Sequence, residues 1–280
     1  MGLIPEQARV AFQGEPGAFS EEAALKLLGA DLATVPRATF DAAFAALAGQ
    51  EAEALLVPIE NSLAGSVLRV YDLLVESGFW ITGEIVIPIE HQLIGCRGAA
   101  IEDVRSVESH PMALAQCERL IAAHPEWRRV PAEDTAGSAR DVIAAGDRSR
   151  AAIAGRRAAE RYGGVILMSD VQDNRQNFTR FVLLAPAERS VPGADKMSVA
   201  MRLRHRPGAL LEGLEPFARY AVNLLKIESR PIQGRPWEYQ FFVDLAAAEP
   251  ESLQNALRAL RLVAQEVRVL GFYKQAARDE

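Results

Sequence analysis

No stretch of this chain approaches the about 18 consecutive apolar residues that a membrane-crossing helix needs, so a membrane is not its expected environment. Cysteine is scarce: Cys96 and Cys117 form no C-x-x-C pair and occupy no activating context, as suits a reducing compartment. Cationic charge is not in excess. Against 37 acidic residues stand 31 basic ones, a net charge of −6 with the signs mixed along the chain, so no nucleic-acid partner is expected. Histidine occurs at 91, 110, 124 and 205, without metal-ligand spacing, and no metal is expected. Neither G-x-G-x-x-G nor G-x-x-x-x-G-K-[ST] is present, which disfavours a nucleotide cofactor, and no serine sits in an acyl-transfer elbow. The start, MGLIPEQARVAFQ, lacks the basic-then-apolar pattern of a secretory signal, and Glu6 stands where a myristoylation motif wants Ser or Thr. A cytoplasmic location is expected.

What is present is apolar residue content, 49% of 280 residues, enough for two packed domains. Strand-like and helix-like segments alternate through the first two thirds. ARVAF precedes SEEAALKLLG, a helix opened by Ser20 and closed by Gly29; EALLVPI precedes SVLRVYDLLVESG; VRSVES precedes PMALAQCERLIAAH, one helix with Pro111 in its first turn. AAIAG, RRAAERYG and VILMSD continue the series, and the alternation predicts an α/β domain with a mainly parallel sheet. A near-repeat, VPIENS at 57–62 and IPIEHQ at 87–92, reads either as a trace of two similar lobes or as two strand ends sharing a tripeptide.

Around 186–195 the chain turns to Pro, Ala and charge without periodicity, as a linker does. MSVAMRLR then alternates with Met197, Val199, Met201 and Leu203 on one face, which predicts a half-buried strand. In PGALLEGLEPFARYAV, residues Leu210, Leu211, Leu214, Phe217, Ala218 and Ala221 fall at helical spacing. NLLKIESRPI and WEYQFFVDL read as strands about a turn at Gly234, followed by the helix SLQNALRALRLVAQEV and the strand VRVLGFY. The order βαββαβ is the ferredoxin-like arrangement.

In α/β sheets ligands gather where strand ends meet helix N-termini, whose unpaired N–H groups hold small anions without many cations. The loops at those ends read GEPGAFS (14–20), PIENS (58–62), ESHP (108–111) and EDTAGSA (133–139), each with hydroxyls or amides. Taken singly, Ser20, Ser109 and Thr135 are ordinary helix caps, Glu60 and Asn61 a solvated turn, and His110 a turn residue before Pro111. A further stretch, QDNRQNFTRFVLLA at 172–185, runs from polar loop into apolar strand with Thr179 at the seam.

Together GEPGAFSEEAA, VPIENSLAGSV, SHPMALAQC, DTAGSA and DNRQNFTRFVLL resemble, in order and over nearly the whole chain, the successive motifs of the prephenate dehydratase family. GALLEGL (208–214) and ESRP (228–231) resemble the marks of the ACT regulatory module, which in that family binds phenylalanine. The resemblance implies a two-lobed, periplasmic-binding-protein-like α/β catalytic domain over 7–188, with its second lobe at about 90–172, and a ferredoxin-like ACT domain over 196–274. It implies decarboxylative dehydration of prephenate to phenylpyruvate without a cofactor, regulation by phenylalanine, and a homodimer or homotetramer. Met112 departs from the Gln that follows SHP in many relatives. A chorismate mutase domain precedes some relatives; with the first strand near residue 8, this chain is expected to be monofunctional.

By the same resemblance Thr179 of the TRF motif is the catalytic hydroxyl, with Glu60 as a proton source if burial raises its pKa, and Asn61 beside it. Asn61, Ser62, Ser109, Gln116 and Ser138 are the expected substrate donors, and Phe178 and Phe181 read either as cleft walls or as ordinary core aromatics. Arg180 would pair with a substrate carboxylate, but strand alternation sets it opposite Thr179, which favours a structural role. Gly208, Ala209, Leu210, Asn223, Glu228, Ser229, Arg230 and Pro231 are the implied effector residues. Rival readings are an arogenate dehydratase and a non-catalytic amino-acid sensor.

Overall fold

A computed structural model of the chain describes residues 8–232 and 234–277; residues 1–7, which include the expected start of the first domain and part of the stretch read for targeting signals, lie outside it. The first lobe comprises β1 (Arg9–Gln13), α1 (Phe19–Leu28), β2 (Ala33–Arg37), α2 (Phe40–Ala48), β3 (Ala54–Asn61), β4 (Gly65–Ser66), α3 (Leu68–Ser77) and β5 (Trp80–Pro88). The chain then crosses to a second lobe: β6 (Gln92–Gly95), β7 (Ser106–Ser109), α4 (Pro111–Ala115), α5 (Glu118–Ala123), β8 (Arg128–Pro131), α6 (Thr135–Ala145), β9 (Arg150–Ala154), α7 (Arg156–Tyr162) and β10 (Val165–Met168). It returns through β11 (Phe178–Ala185), which inserts between β3 and β5.

The mainly parallel sheet expected from the alternation is not what forms. β1 is parallel to β2 and β3, yet β11 runs antiparallel to both its neighbours, because it re-enters the first lobe directly from the second without a helical crossover. In the second lobe β7 is parallel to β8 and β9, while β6 is antiparallel to β9 and β10. The PIE tripeptides end β3 and lie at the end of β5, the two strands that flank β11, so they mark one lobe and not two. The segment read as one helix after Pro111 breaks at Gln116–Cys117. There the Asp173 carboxylate accepts the N–H groups of Glu118 (2.9 Å) and Arg119 (3.0 Å), capping α5 from a distant loop.

The C-terminal third is β12 (Lys196–Arg202), α8 (Ala209–Arg219), β13 (Asn223–Pro231), β14 (Tyr239–Ala246), α9 (Pro250–Val263) and β15 (Glu266–Tyr273). The sheet order β13-β14-β12-β15 confirms the ferredoxin-like unit. Both faces of β12 are buried, however. Met197, Val199 and Met201 pack under α8 and α9, while Ala200 joins Phe242, Tyr71 and Leu270 in a core shared with the first lobe. On α8 the buried face is Ala209, Gly213, Pro216 and Phe217, and Leu210 and Leu211 stay outside.

A backbone contact also joins the units. β15 meets β5 at Gly271↔Ile81, so the ferredoxin-like sheet continues the first-lobe sheet. A Cβ on Gly271 would lie 2.4 Å from the Ile81 carbonyl oxygen, which backbone cannot yield cheaply. Gly271→Ala is expected to destabilise by about 1–3 kcal/mol, read as a lower thermal midpoint; an unchanged midpoint would show the contact to be loose.

Candidate functional site

A cleft of about 280 Å³ lies between the lobes. Its walls carry Phe19 and Ser20 of α1, Asn61 of β3 and Thr179 and Phe181 of β11 on one side, and His110, Gln116, Asp134 and Thr135 on the other, with His91 at the crossing. No lysine or arginine lines it among the described residues. The ends of α1 and α6 supply its electropositive edges instead.

Side-chain alternation sorts the strand residues between two faces. Thr179 pairs across the ladder with Asn61, and Arg180 with Glu60. Thr179 and Asn61 face the cleft, while Arg180 and Glu60 face a second cavity, about 250 Å³, at the ferredoxin-like unit. Behind the sheet Arg180 bonds Glu84 (3.1 Å), Glu60 (3.2 Å) and Asp244 (2.7 Å), and Lys196 bonds Glu84 at 2.7 Å. Lys226 reaches Glu60 at 2.7 Å and Ser66 at 2.9 Å.

Hydrogen-bond polarity in the cleft follows from the backbone. The N–H groups of Leu63 (2.9 Å) and Ala64 (2.8 Å) both donate to Asn61 Oδ1, which fixes that amide and turns its Nδ2 outward as donor. Asn61 Nδ2 serves Thr179 Oγ1 at 2.9 Å, Asn177 Oδ1 at 2.8 Å and the Phe178 carbonyl at 3.1 Å. Asn177 Nδ2 must then donate onward, to Gln116 Oε1 at 3.0 Å, and that oxygen also meets His91 Nε2 at 3.0 Å. A chain of amides thus crosses from the first lobe to the second. It leaves the Thr179 proton free to donate, and it fixes His91 as the Nε2–H tautomer. The His91 ring, 2% exposed and edge-on to Phe19, keeps Nδ1 buried without a partner. Burial pushes the His91 pKa below the usual histidine value, against the opposing pull of Gln116.

A prephenate dehydratase profile matches residues 10–189. The chain is 40% identical over 280 residues to arogenate dehydratase/prephenate dehydratase 2 of Arabidopsis thaliana, covering 95% of this chain and 73% of that relative. The chain belongs to the prephenate dehydratase family. The solved structure of prephenate dehydratase from Arthrobacter aurescens in complex with L-Phe is 33% identical, with a TM-score of 0.86 over 95% of this chain and 90% of that one. A structure described as GqqA, a novel type of quorum quenching acylase, is also 33% identical, with a TM-score of 0.87 over 96% and 98%.

Within this dehydratase fold the structure brings together Thr179, Asn61, Gln116 and Phe181 of the expected site, and it places the others elsewhere for local reasons. Glu60 is turned to the rear. Burial pushes its carboxyl up, but Lys226 and Arg180 more than offset this and hold it below the usual value, so it is no proton source for the cleft. Ser62 clasps the 172–178 loop, donating to the Gln176 carbonyl (2.8 Å) and accepting from Phe178 N–H (2.9 Å). Ser109 is fully buried with its hydroxyl on the Ile153 carbonyl at 2.6 Å, and Ser138 bonds back to the Asp134 carbonyl at 2.7 Å. Phe178 lines the rear cavity, and Phe181 is the aromatic wall of the cleft. Arg180 points to the rear cavity and pairs there with Glu60, Glu84 and Asp244, on the face that alternation assigns it. Asp134 caps α6 through Gly137 N–H at 2.6 Å, which leaves Thr135 free to line the cleft.

Two residues of the site escaped the sequence reading, His91 and Asn177. Both belong to quoted motifs, IPIEHQ and QNFTRF, but their roles rest on bonds to residues far away in the chain.

The eight effector residues do not converge within one chain. Glu228 accepts from the Ser66 hydroxyl and Arg230 bonds Asp72 at 2.6 Å, while Gly208 caps α8 with φ 80°. Asn223 sits opposite Ala246, at the far end of the sheet from Arg230, which pairs with Gln240. Ala209 is buried; Leu210, Ser229 and Pro231 are exposed.

Proposed function

We propose that the chain converts prephenate to phenylpyruvate, carbon dioxide and water. The observation that carries this reading is the Thr179 hydroxyl, which accepts from Asn61 and so has its proton to spare in a cleft between two lobes. As the ring carboxylate leaves, its bonding electrons complete the aromatic ring and expel the hydroxyl at the opposite carbon. Thr179 donates a hydrogen bond to that departing oxygen, where charge grows in the transition state. Gln116 Nε2 has no protein partner among the described residues, and with the Ser20 hydroxyl and the N-terminus of α6 it offers donors to the carboxylates. Aromatisation makes the step downhill, and no electron sink is needed.

An acylase reading is less well served. A threonine nucleophile needs a base on its oxygen, and Thr179 Oγ1 meets an amide donor there.

The ferredoxin-like unit, 196–274, acts as an ACT regulatory domain that binds phenylalanine between chains. Separation of Asn223 from Arg230 along one sheet supports a site completed by a second copy, hence a homodimer or homotetramer. No helix among the described residues is long and apolar enough to cross a membrane, and a cytoplasmic setting fits this reading.

The test is direct. Purified protein mixed with prephenate is expected to release phenylpyruvate, followed by its absorbance in alkali, with arogenate in a parallel tube to rank the two substrates. Added phenylalanine is expected to inhibit and to raise the thermal midpoint. Absence of product from both substrates would end the reading.

A further inference from the structure

A helix N-cap needs one side-chain oxygen and no charge; Thr39 caps α2 with a hydroxyl. Asp134 caps α6 with a carboxylate, and Oδ1 does that work, accepting Gly137 N–H at 2.6 Å. The charge is left over, and it is left over inside the cleft. Among the described residues Asp134 is the one carboxylate that lines this cavity, which has no lysine or arginine. Its Oδ2 sits against the loop from β1 to α1, where a Cβ on Gly14 would come within 3.4 Å of it. Phe19 and Ser20, at the start of α1, line the facing wall. Burial holds His91 toward its neutral form, and His110 is exposed with Nδ1 taken by Met112 N–H at 3.2 Å. Beside Asp134 stands Glu15, paired with Arg140 at 2.8 Å; Arg140 also bonds Asp141 at 2.9 Å and lines no part of the cleft. Burial pushes the Asp134 carboxyl above the usual aspartate value. Gly137 N–H opposes this, with smaller help from the N–H groups of Ala136 and Glu15, and the Glu15 charge adds to it, so the ionised form is short of positive partners.

For prephenate, a dianion with a keto group next to its side-chain carboxylate, such a residue is a cost, because like charges meet in one cleft. For arogenate it is an asset, because an ammonium replaces the keto oxygen beside the same carboxylate. We propose, on the dehydratase reading above, that Asp134 is the specificity-determining residue of this cleft: its carboxylate receives the α-ammonium of arogenate and so admits an amino-acid substrate beside the keto acid. The two halves of an α-amino acid then find neighbouring partners. The ammonium meets Asp134, while the carboxylate two bonds away meets the Thr135 hydroxyl and the start of α6, one residue further along the chain. The ring is common to both substrates and is left to Thr179. The chemistry is the same: the ring carboxylate leaves as carbon dioxide, its bonding electrons enter the ring, and the opposite hydroxyl departs as water. The product from arogenate is phenylalanine in place of phenylpyruvate.

Asp134→Asn is the discriminating variant. Asparagine keeps an oxygen for Gly137 N–H and caps as well as aspartate does, so α6 should stand while the charge is lost. Rates with arogenate and with prephenate, measured on one preparation of the full chain, give the ratio of the two kcat/KM values, which does not depend on how much of the preparation is folded. Initial rates are needed, because phenylalanine is both the product from arogenate and the expected effector. Wild type is expected to turn over both substrates. In Asp134→Asn the arogenate-to-prephenate ratio is expected to fall by about 10- to 100-fold, the worth of one charge-assisted hydrogen bond, and Asp134→Ser should lower it likewise. A ratio that moves by less than about fivefold, or a wild type that turns over prephenate and not arogenate, would overturn the proposal. An equal loss with both substrates is one such result, and it would mark Asp134 as a cap or a proton donor instead. A wild type inactive on both substrates would end the dehydratase reading itself, so the two ideas fail in distinguishable ways.

Discussion

Thr179→Val is expected to lower kcat by about 10²- to 10³-fold while leaving the fold and KM nearly unchanged, and Thr179→Ser is expected to keep most of the turnover. Valine keeps the branched shape on β11 and removes the hydroxyl. Asn61 Nδ2 loses one acceptor but retains Asn177 Oδ1 at 2.8 Å and the Phe178 carbonyl at 3.1 Å, so the amide chain across the lobes should survive. A loss confined to kcat would mean that the hydroxyl acts in the transition state and not in substrate capture. A valine enzyme within tenfold of wild type would remove Thr179 from the mechanism. An equal loss in the serine variant would point to the methyl group and to packing.

Asp244→Ala should give the largest loss of stability, about 3–5 kcal/mol by denaturant midpoint. Asp244 is 8% exposed and holds Arg180 at 2.7 Å while accepting the Ser198 hydroxyl at 2.6 Å. Burial alone would push its carboxyl up, but Arg180 and Lys196 outweigh that and hold it below the usual carboxylate value. With the carboxylate gone, Arg180 is left to Glu84 and Glu60, and Lys196 to Glu84, so two buried cations share fewer anions. The sign with pH follows. A folded-state pKa below the unfolded one gives stability that is present above the unfolded carboxylate range and lost as pH falls through the folded value. Wild type should therefore be more sensitive to acid than Asp244→Ala. A variant as stable as wild type at neutral pH would mean that water already solvates the cluster. The effect should also reach kcat, because Arg180 follows Thr179 on one strand.

Legibility in the sequence differed by the range of the interactions. The ferredoxin-like order was readable from strand alternation and helical spacing, both local. The second buried face of β12 was not, since Ala200 owes its burial to Tyr71 and Leu270 far away in the chain. The pair β2 and α2 went unread, although Thr39, which caps α2 by accepting Ala42 N–H at 3.1 Å, marks that helix. In the site, alternation rightly separated Thr179 from Arg180. Applied to β3, the same rule would have sent Glu60 to the rear with Arg180, as the ladder shows. The hydroxyls of Ser109 and Ser138 look identical to substrate donors in sequence, and only a carbonyl brought near by folding shows that they are spent. His91 was discounted because histidines were weighed as metal ligands, a test blind to one imidazole held by an amide.

The two chain crossings between the lobes are laced to each other. Ile89 N–H donates to the Asn177 carbonyl at 2.7 Å and Val171 N–H to the His91 carbonyl at 2.9 Å, so the crossings form one short ribbon. A ribbon of this kind swings like a door on a single pivot and resists sliding. The described ion pairs of the ferredoxin-like unit with the rest of the chain all land on the first lobe, the door frame. Control exerted from that unit must therefore work by tilting the frame beneath Thr179, and the door follows.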